Sequence, residues 1–189
     1  MFKLFFLPLV FLLACRDPGQ KLPAQQINFD SLINRQVQIL SNQSSSLIKR
    51  TSVGQTTVET SLANQQVQWK KELEPFRIIS LINKPVYRDS YESSVEPDPR
   101  SNLIIKSWVA RGDEPLRTIR IFYLDHISQI KKIEARLEET NFVFTSYQDI
   151  QLDFTVLGGS PQLERYKISG MQKYFMGNLR GFSLEGIVQ

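Results

Sequence analysis

The hydrophobic pattern changes period near residue 86, and this change restricts the fold more than any single motif. Before it, Phe29, Ile33, Val37, Leu40, Leu47 and Ile48 recur mostly at spacings of three, four and seven. Val58, Leu62, Gln65, Trp69, Leu73, Phe76, Ile79 and Ile82 then recur at three or four. Side chains so spaced share one face of a helix, so two amphipathic helices are expected. Asn28 or Asp30 can cap the first, because a short side-chain oxygen accepts from a free amide of the opening turn. The stretch 51–57 interrupts the pattern around Gly54. Pro75 removes a backbone donor inside the second helix. The apolar register runs through it, so a kink is expected there, with the helix ending at Pro85.

After residue 86 apolar and polar residues alternate. Segments 101–111, 118–124, 127–138, 141–154, 164–176 and 179–188 read as strands, separated by Gly, Pro, Asp and Asn. Short connections make neighbouring strands antiparallel. The expected fold is α+β: two N-terminal amphipathic helices packed on a six-stranded antiparallel β-meander, a sheet able to curl into a half-barrel. One domain spans 27–189.

Two hairpins can be registered. A two-residue loop at Glu139-Thr140 sets Leu137 against Phe142 and Ala135 against Phe144. The apolar face then carries Ile133, Ala135, Leu137, Phe142, Phe144, Ile150, Leu152 and Phe154. Gly177-Asn178 suits a type II′ turn. That turn places Tyr174 across from Gly181 and Met171 across from Leu184, the tyrosine covering a glycine that has no side chain to pack.

The residues ahead of the domain are of another kind. Met1 and Lys3 form a short positive start, and 4–14 is apolar, half the length a bilayer-spanning helix requires. That is the size of a signal-peptide core. It ends in Leu12-Leu13-Ala14-Cys15, which resembles the lipobox of bacterial lipoproteins. The resemblance implies cleavage after residue 14 and a diacylglycerol thioether on Cys15. The domain would then be held at a membrane by its N-terminal lipid. Cys15 is the only cysteine, so lipidation leaves no thiol for a disulfide or a metal. Residues 15–26 combine Pro, Gly and polar side chains, the composition of a flexible tether. In the sorting rule of enterobacterial lipoproteins, Asp directly after the cysteine favours the inner membrane. Arg16 stands there, so the resemblance favours the outer membrane of a bacterial cell envelope.

Charge and motifs narrow the chemistry. Lys and Arg number 23 against 19 acidic residues, a dispersed excess without the basic run of a nucleic-acid arm. His126 is the single histidine and sits in a turn beside Asp125. No G-x-S-x-G elbow occurs. Gly158-Gly159-Ser160 is followed by Pro161 where a phosphate loop needs Lys and a helix start. Arg111-Gly112-Asp113 is ordinary turn chemistry. A non-enzymatic protein without cofactor or metal is expected.

The segment 69–91, with Trp69, Glu72-Leu73, Phe76, Ile82-Asn83-Lys84-Pro85 and Tyr91, resembles a stretch of uncharacterised envelope lipoproteins with a helical front and a β-meander. The layout also resembles the half-barrels of Lol-type lipoprotein carriers, which hold acyl chains between sheet and helices. That likeness implies an apolar or amphiphilic ligand in a cavity bounded by Trp69, Phe76, Ile133, Ala135, Leu137, Phe142, Phe144 and Phe154. The alternative is a lipoprotein scaffold with a filled core that docks on another envelope protein.

Overall fold

The computed structural model describes residues 27–87, 89–174 and 180–189. The expected signal peptide, Cys15, the expected tether and the expected Gly177-Asn178 turn lie outside these residues. The first helix, α1 (Phe29–Asn42), begins where Asn28 Oδ1 accepts from Ser31 N at 2.9 Å. It turns Phe29, Leu32, Ile33, Gln36 and Leu40 inward. It stops six residues before Ile48, because Asn42 and the serines that follow Gln43 are weaker helix formers. Ser44 takes a left-handed φ of 55°.

The expected second helix is replaced by a hairpin and a broken helical segment. Strands β1 (Leu47–Val53) and β2 (Thr56–Leu62) flank Gly54, whose φ of 60° fits the first central place of a type II′ turn. Val58 is accordingly exposed on a strand and not buried on a helix. Helical structure resumes in short pieces: a 3-10 turn (Asn64–Gln66), α2 (Trp69–Glu72), a 3-10 run (Glu74–Asn83) and a last turn (Pro85–Tyr87). Pro75 stands in the first turn of that run, where its missing donor costs nothing, so it starts a segment where a kink was expected. The apolar face was nonetheless read correctly across the break. Trp69, Leu73, Phe76 and Ile79 all point into the core.

Among the described residues the sheet has nine antiparallel strands and not six, in the order β2-β1-β9-β8-β7-β6-β5-β4-β3. Strands β3 (Tyr91–Pro97), β4 (Ile104–Ala110), β5 (Leu116–Tyr123), β6 (Ile130–Thr140), β7 (Phe144–Leu157), β8 (Ser160–Tyr174) and β9 (Arg180–Val188) form a meander. The β1–β2 hairpin extends it by pairing β1 with β9. The sheet is open, with β2 and β3 as its edges. Gly158 and Gly159, at φ 56° and 75°, make the tight β7–β8 turn, since both central residues of a type I′ turn need positive φ.

Both expected registers shift. At the β6–β7 connection Asn141 Oδ1 accepts from Val143 N at 2.8 Å and Phe144 N at 3.0 Å, moving the turn tip to Phe142-Val143. Ala135 therefore faces Ile150, and Ile133 faces Leu152. Ala135's partner moves by six residues, an even number, so the buried face is preserved. Phe142 leaves that face and is 85% exposed. Between β8 and β9, Met171 faces Gly181 and not Leu184, an odd slip that exchanges the faces.

One core joins the layers. Phe29, Leu40, Leu73, Phe76 and Ile79 pack on Ile119, Ile121, Ile133, Leu152 and Tyr166. Gln36, fully buried, reaches past the end of β9 to the bare edge of β8. Its Nε2 donates to Pro161 O at 2.9 Å, and its Oε1 accepts from Leu163 N at 2.8 Å. Asn83 performs the same service for α1, accepting from Phe29 N and donating to Ile27 O.

Candidate functional site

The residues expected to line a cavity separate into two groups. Trp69, Phe76, Ile133, Ala135 and Phe154 are each 4% exposed or less and belong to one continuous core. Leu137 packs at its margin. Phe142 stands in solvent at the β6–β7 tip, and Phe144 is half-buried beside it. The interior between helices and sheet is thus occupied by the side chains themselves. Phe76 meets Tyr166 edge-on at 5.2 Å between ring centres.

A polar clasp within that interior had no sequence signature. Tyr166 donates its hydroxyl to Glu72, whose carboxylate also accepts from Lys49 Nζ at 2.7 Å and 3.1 Å. Burial, reinforced by the Glu72 carboxylate, pushes the Tyr166 hydroxyl well above the ordinary tyrosine range. The clasp fastens α2 to the sheet. On the meander's outer strands, burial also raises Tyr91 to about 12. Its hydroxyl donates to Leu116 O at 2.8 Å.

The opposite side of the sheet is built differently. Side chains alternate along a strand, so Arg120, Glu134 and Gln151 point away from their buried neighbours Ile119, Ile133 and Ile150. Cross-strand register aligns Arg120, Glu134, Gln151, Lys167, Glu185, Arg50 and Glu59 in a single row from β5 to β2. Arg120 meets Glu134 at 2.6 Å, and Arg50 meets Glu59 at 2.6 Å and Glu185 at 3.3 Å. The next row runs Arg136, Asp149, Ser169, Ser183, Ser52 and Thr57. Arg136 forks onto Asp149 at 2.8 Å and 3.2 Å. Even the buried ring of Phe122 on this side is roofed by charge: Lys132 Nζ lies 4.0 Å from its centre.

These rows border a shallow basin of about 510 Å³, lined by Ser107, Arg120, Glu134, Arg136, Asp149 and Lys167 among others. Arg120 and Arg136 are paired within it, to Glu134 and Asp149, and its lining is polar and apolar in near-equal parts. The arrangement offers donors and acceptors over a broad surface. His126 is exposed in the β5–β6 connection, its carbonyl accepting from Gln129 N at 2.7 Å. Among the described residues no three His, Cys, Asp or Glu side chains gather as metal ligands. Arg111, Gly112 and Asp113 form the exposed β4–β5 turn, where Arg117 donates to Gly112 O at 2.6 Å and to Asp113 at 3.2 Å.

Compared with known proteins, the chain matches no family model, no curated protein and no solved structure. No helix among the described residues is long and apolar enough to cross a membrane.

Proposed function

We propose that the chain is a lipid-anchored, non-enzymatic scaffold of the bacterial cell envelope that docks on another envelope component through the charged face of its sheet. The observation carrying this reading is the filled interior. Trp69, Phe76, Ile133, Ala135 and Phe154 occupy the space a carrier would reserve for an acyl chain. What remains for recognition is the outer face, with its cross-strand rows and the basin among them. Rows of paired charges set orientation and partner choice more than raw affinity. The Leu12-Leu13-Ala14-Cys15 ending supports the anchor, and Arg16 supports the outer membrane as its site.

A second reading keeps the carrier function at another place. An apolar groove of about 340 Å³ opens between the start of α1 and the β7–β8 turn. Ile27, Leu32, Ile127, Ile130 and Pro161 line it. It includes Ile27, the first of the described residues.

Native mass spectrometry of the full chain extracted from bacterial membranes separates the two. The scaffold reading expects the mature chain with acylated Cys15 and no further lipid. A stoichiometric, non-covalent lipid would favour the carrier. Cys15→Ser should abolish palmitate labelling, and labelling that persists in that variant would remove the anchor from both readings.

A further inference from the structure

We infer that β2 is a self-association edge, along which a second copy of this chain adds its own β2 antiparallel to the first. An edge strand presents unpaired backbone donors and acceptors, and proteins ordinarily blunt such edges with Pro, Lys, inward charges or bulges. The two edges of this sheet differ in that respect. β3 carries Glu92 and Glu96 and ends in Pro97. β2 has none of these devices. It pairs with β1 over seven residues in unbroken register, its side chains are exposed up to Leu62, and its one charge, Glu59, is held by Arg50.

The turn chemistry identifies the groups that face outward. Val53 and Thr56 flank the two-residue turn and therefore form a hydrogen-bonded pair. Alternation then aims the backbone of Val58 and Thr60 at β1, and that of Thr57, Glu59 and Ser61 away from the sheet. Among the described residues no strand lies beyond them.

The side chains choose a second copy as the occupant. Thr56-Thr57-Val58-Glu59-Thr60 is nearly palindromic, so antiparallel pairing centred on Val58 is self-complementary. Thr57 then exchanges hydrogen bonds with Glu59 of the other copy, Thr56 faces Thr60, and Val58 faces Val58. Val58 is 57% exposed in the single chain, and two such side chains would cover each other at the closer, non-hydrogen-bonded position. Threonine pairs and β-branched pairs are favourable cross-strand neighbours. A register centred on Glu59 would instead set carboxylate against carboxylate. The paired window, 55–61, ends before the 3-10 turn Asn64–Gln66 and avoids it. A seam of one strand is small, so the dimer belongs among weak, transient interfaces. Attachment of both copies to one membrane would raise their effective concentration.

The test uses two full-length copies with different C-terminal tags, co-expressed and purified in mild detergent. Wild-type copies should co-purify. Val58→Lys in both copies should reduce recovery about tenfold, a change of about 1.4 kcal/mol. Val58→Lys in one copy and Val58→Glu in the other should restore it, which also shows that the variants fold. Val109→Lys, on the exposed face of β4, should leave recovery unchanged. Wild-type copies that do not co-purify, undiminished recovery of the double Val58→Lys pair, or equal loss with Val109→Lys would each overturn the proposal.

Discussion

Tyr166 lies directly across the β8–β9 ladder from Gly186, and its ring fills the place where a Cβ on Gly186 would stand. A side chain there would collide with the Tyr166 ring. The same device recurs four rungs along, where Phe182 faces Gly170 and its ring would lie 3.1 Å from a Cβ on that glycine. At Gly186 the missing side chain lets Tyr166 lie flat enough to reach Glu72, so one glycine positions the clasp between sheet and helix.

Gly186→Ala should therefore overpack the core and cost about 1–3 kcal/mol or more. Gly181→Ala, whose nearest obstacle is a carbonyl at 3.9 Å, should stay within about half a kcal/mol. Urea denaturation of the two variants reads the difference. Equal effects would mean that the ring does not rest on Gly186.

Gln36→Leu keeps the volume of a buried side chain and removes both of its polar contacts. Pro161 O and Leu163 N would lose their partner, at a cost of about 1–3 kcal/mol for each group left buried and unpaired. Gln38→Leu on the exposed side of α1 should be nearly neutral in the same thermal melt.

Tyrosine ionisation gives a pH prediction with a definite sign. Tyr91, Tyr123 and Tyr166 are all held above the ordinary value by burial. The unfolded chain loses these protons first as pH rises. Stability from these groups is thus complete below about pH 10 and falls above it. A spectrophotometric titration of the tyrosines should show late ionisation, completed only as the fold opens. Tyr166→Phe should remove part of the alkaline loss, and an unchanged profile would contradict the buried setting of that hydroxyl.

The charged face should be nearly silent in stability. Arg136 and Asp149 are both more than half exposed, and pairs of that kind contribute about 0–1 kcal/mol. Arg136→Ala should leave the melting temperature within a few degrees while weakening attachment to the envelope component, measured by crosslinking from the neighbouring Lys167. A large loss of stability would make the row a structural brace.

The sequence announced the meander and most of the core because those strands bury one face, which writes a period of two into the residues. Ile119, Ile121, Ile133, Ala135, Ile150 and Leu152 were legible for that reason. Strands β1, β2 and β3 were not. In β2 and β3 the side chains are mostly exposed on both faces, and in β1 only Leu47 is fully buried, so no period of two marks them, and the stray spacing of Val58 and Leu62 imitated a helix. The six-residue register error at β6–β7 has a different origin. Glu139-Thr140 looked like a loop, but the turn depends on how Asn141 folds its side chain onto Val143 and Phe144. Gln36 and Tyr166 gave no signal at all, and Glu72 none of its role, because their partners are far away in the chain.

Ala135 is where the filled interior can be tested most directly. It is 4% exposed on the apolar face, between Ile119 and Ile150. Equilibrium denaturation of Ala135→Trp, with the lipid content of the same preparation, decides whether space exists there. The prediction is a loss of about 1–3 kcal/mol or more with no lipid bound in either protein. A variant as stable as the wild type, from which a wild-type lipid has been displaced, would contradict it.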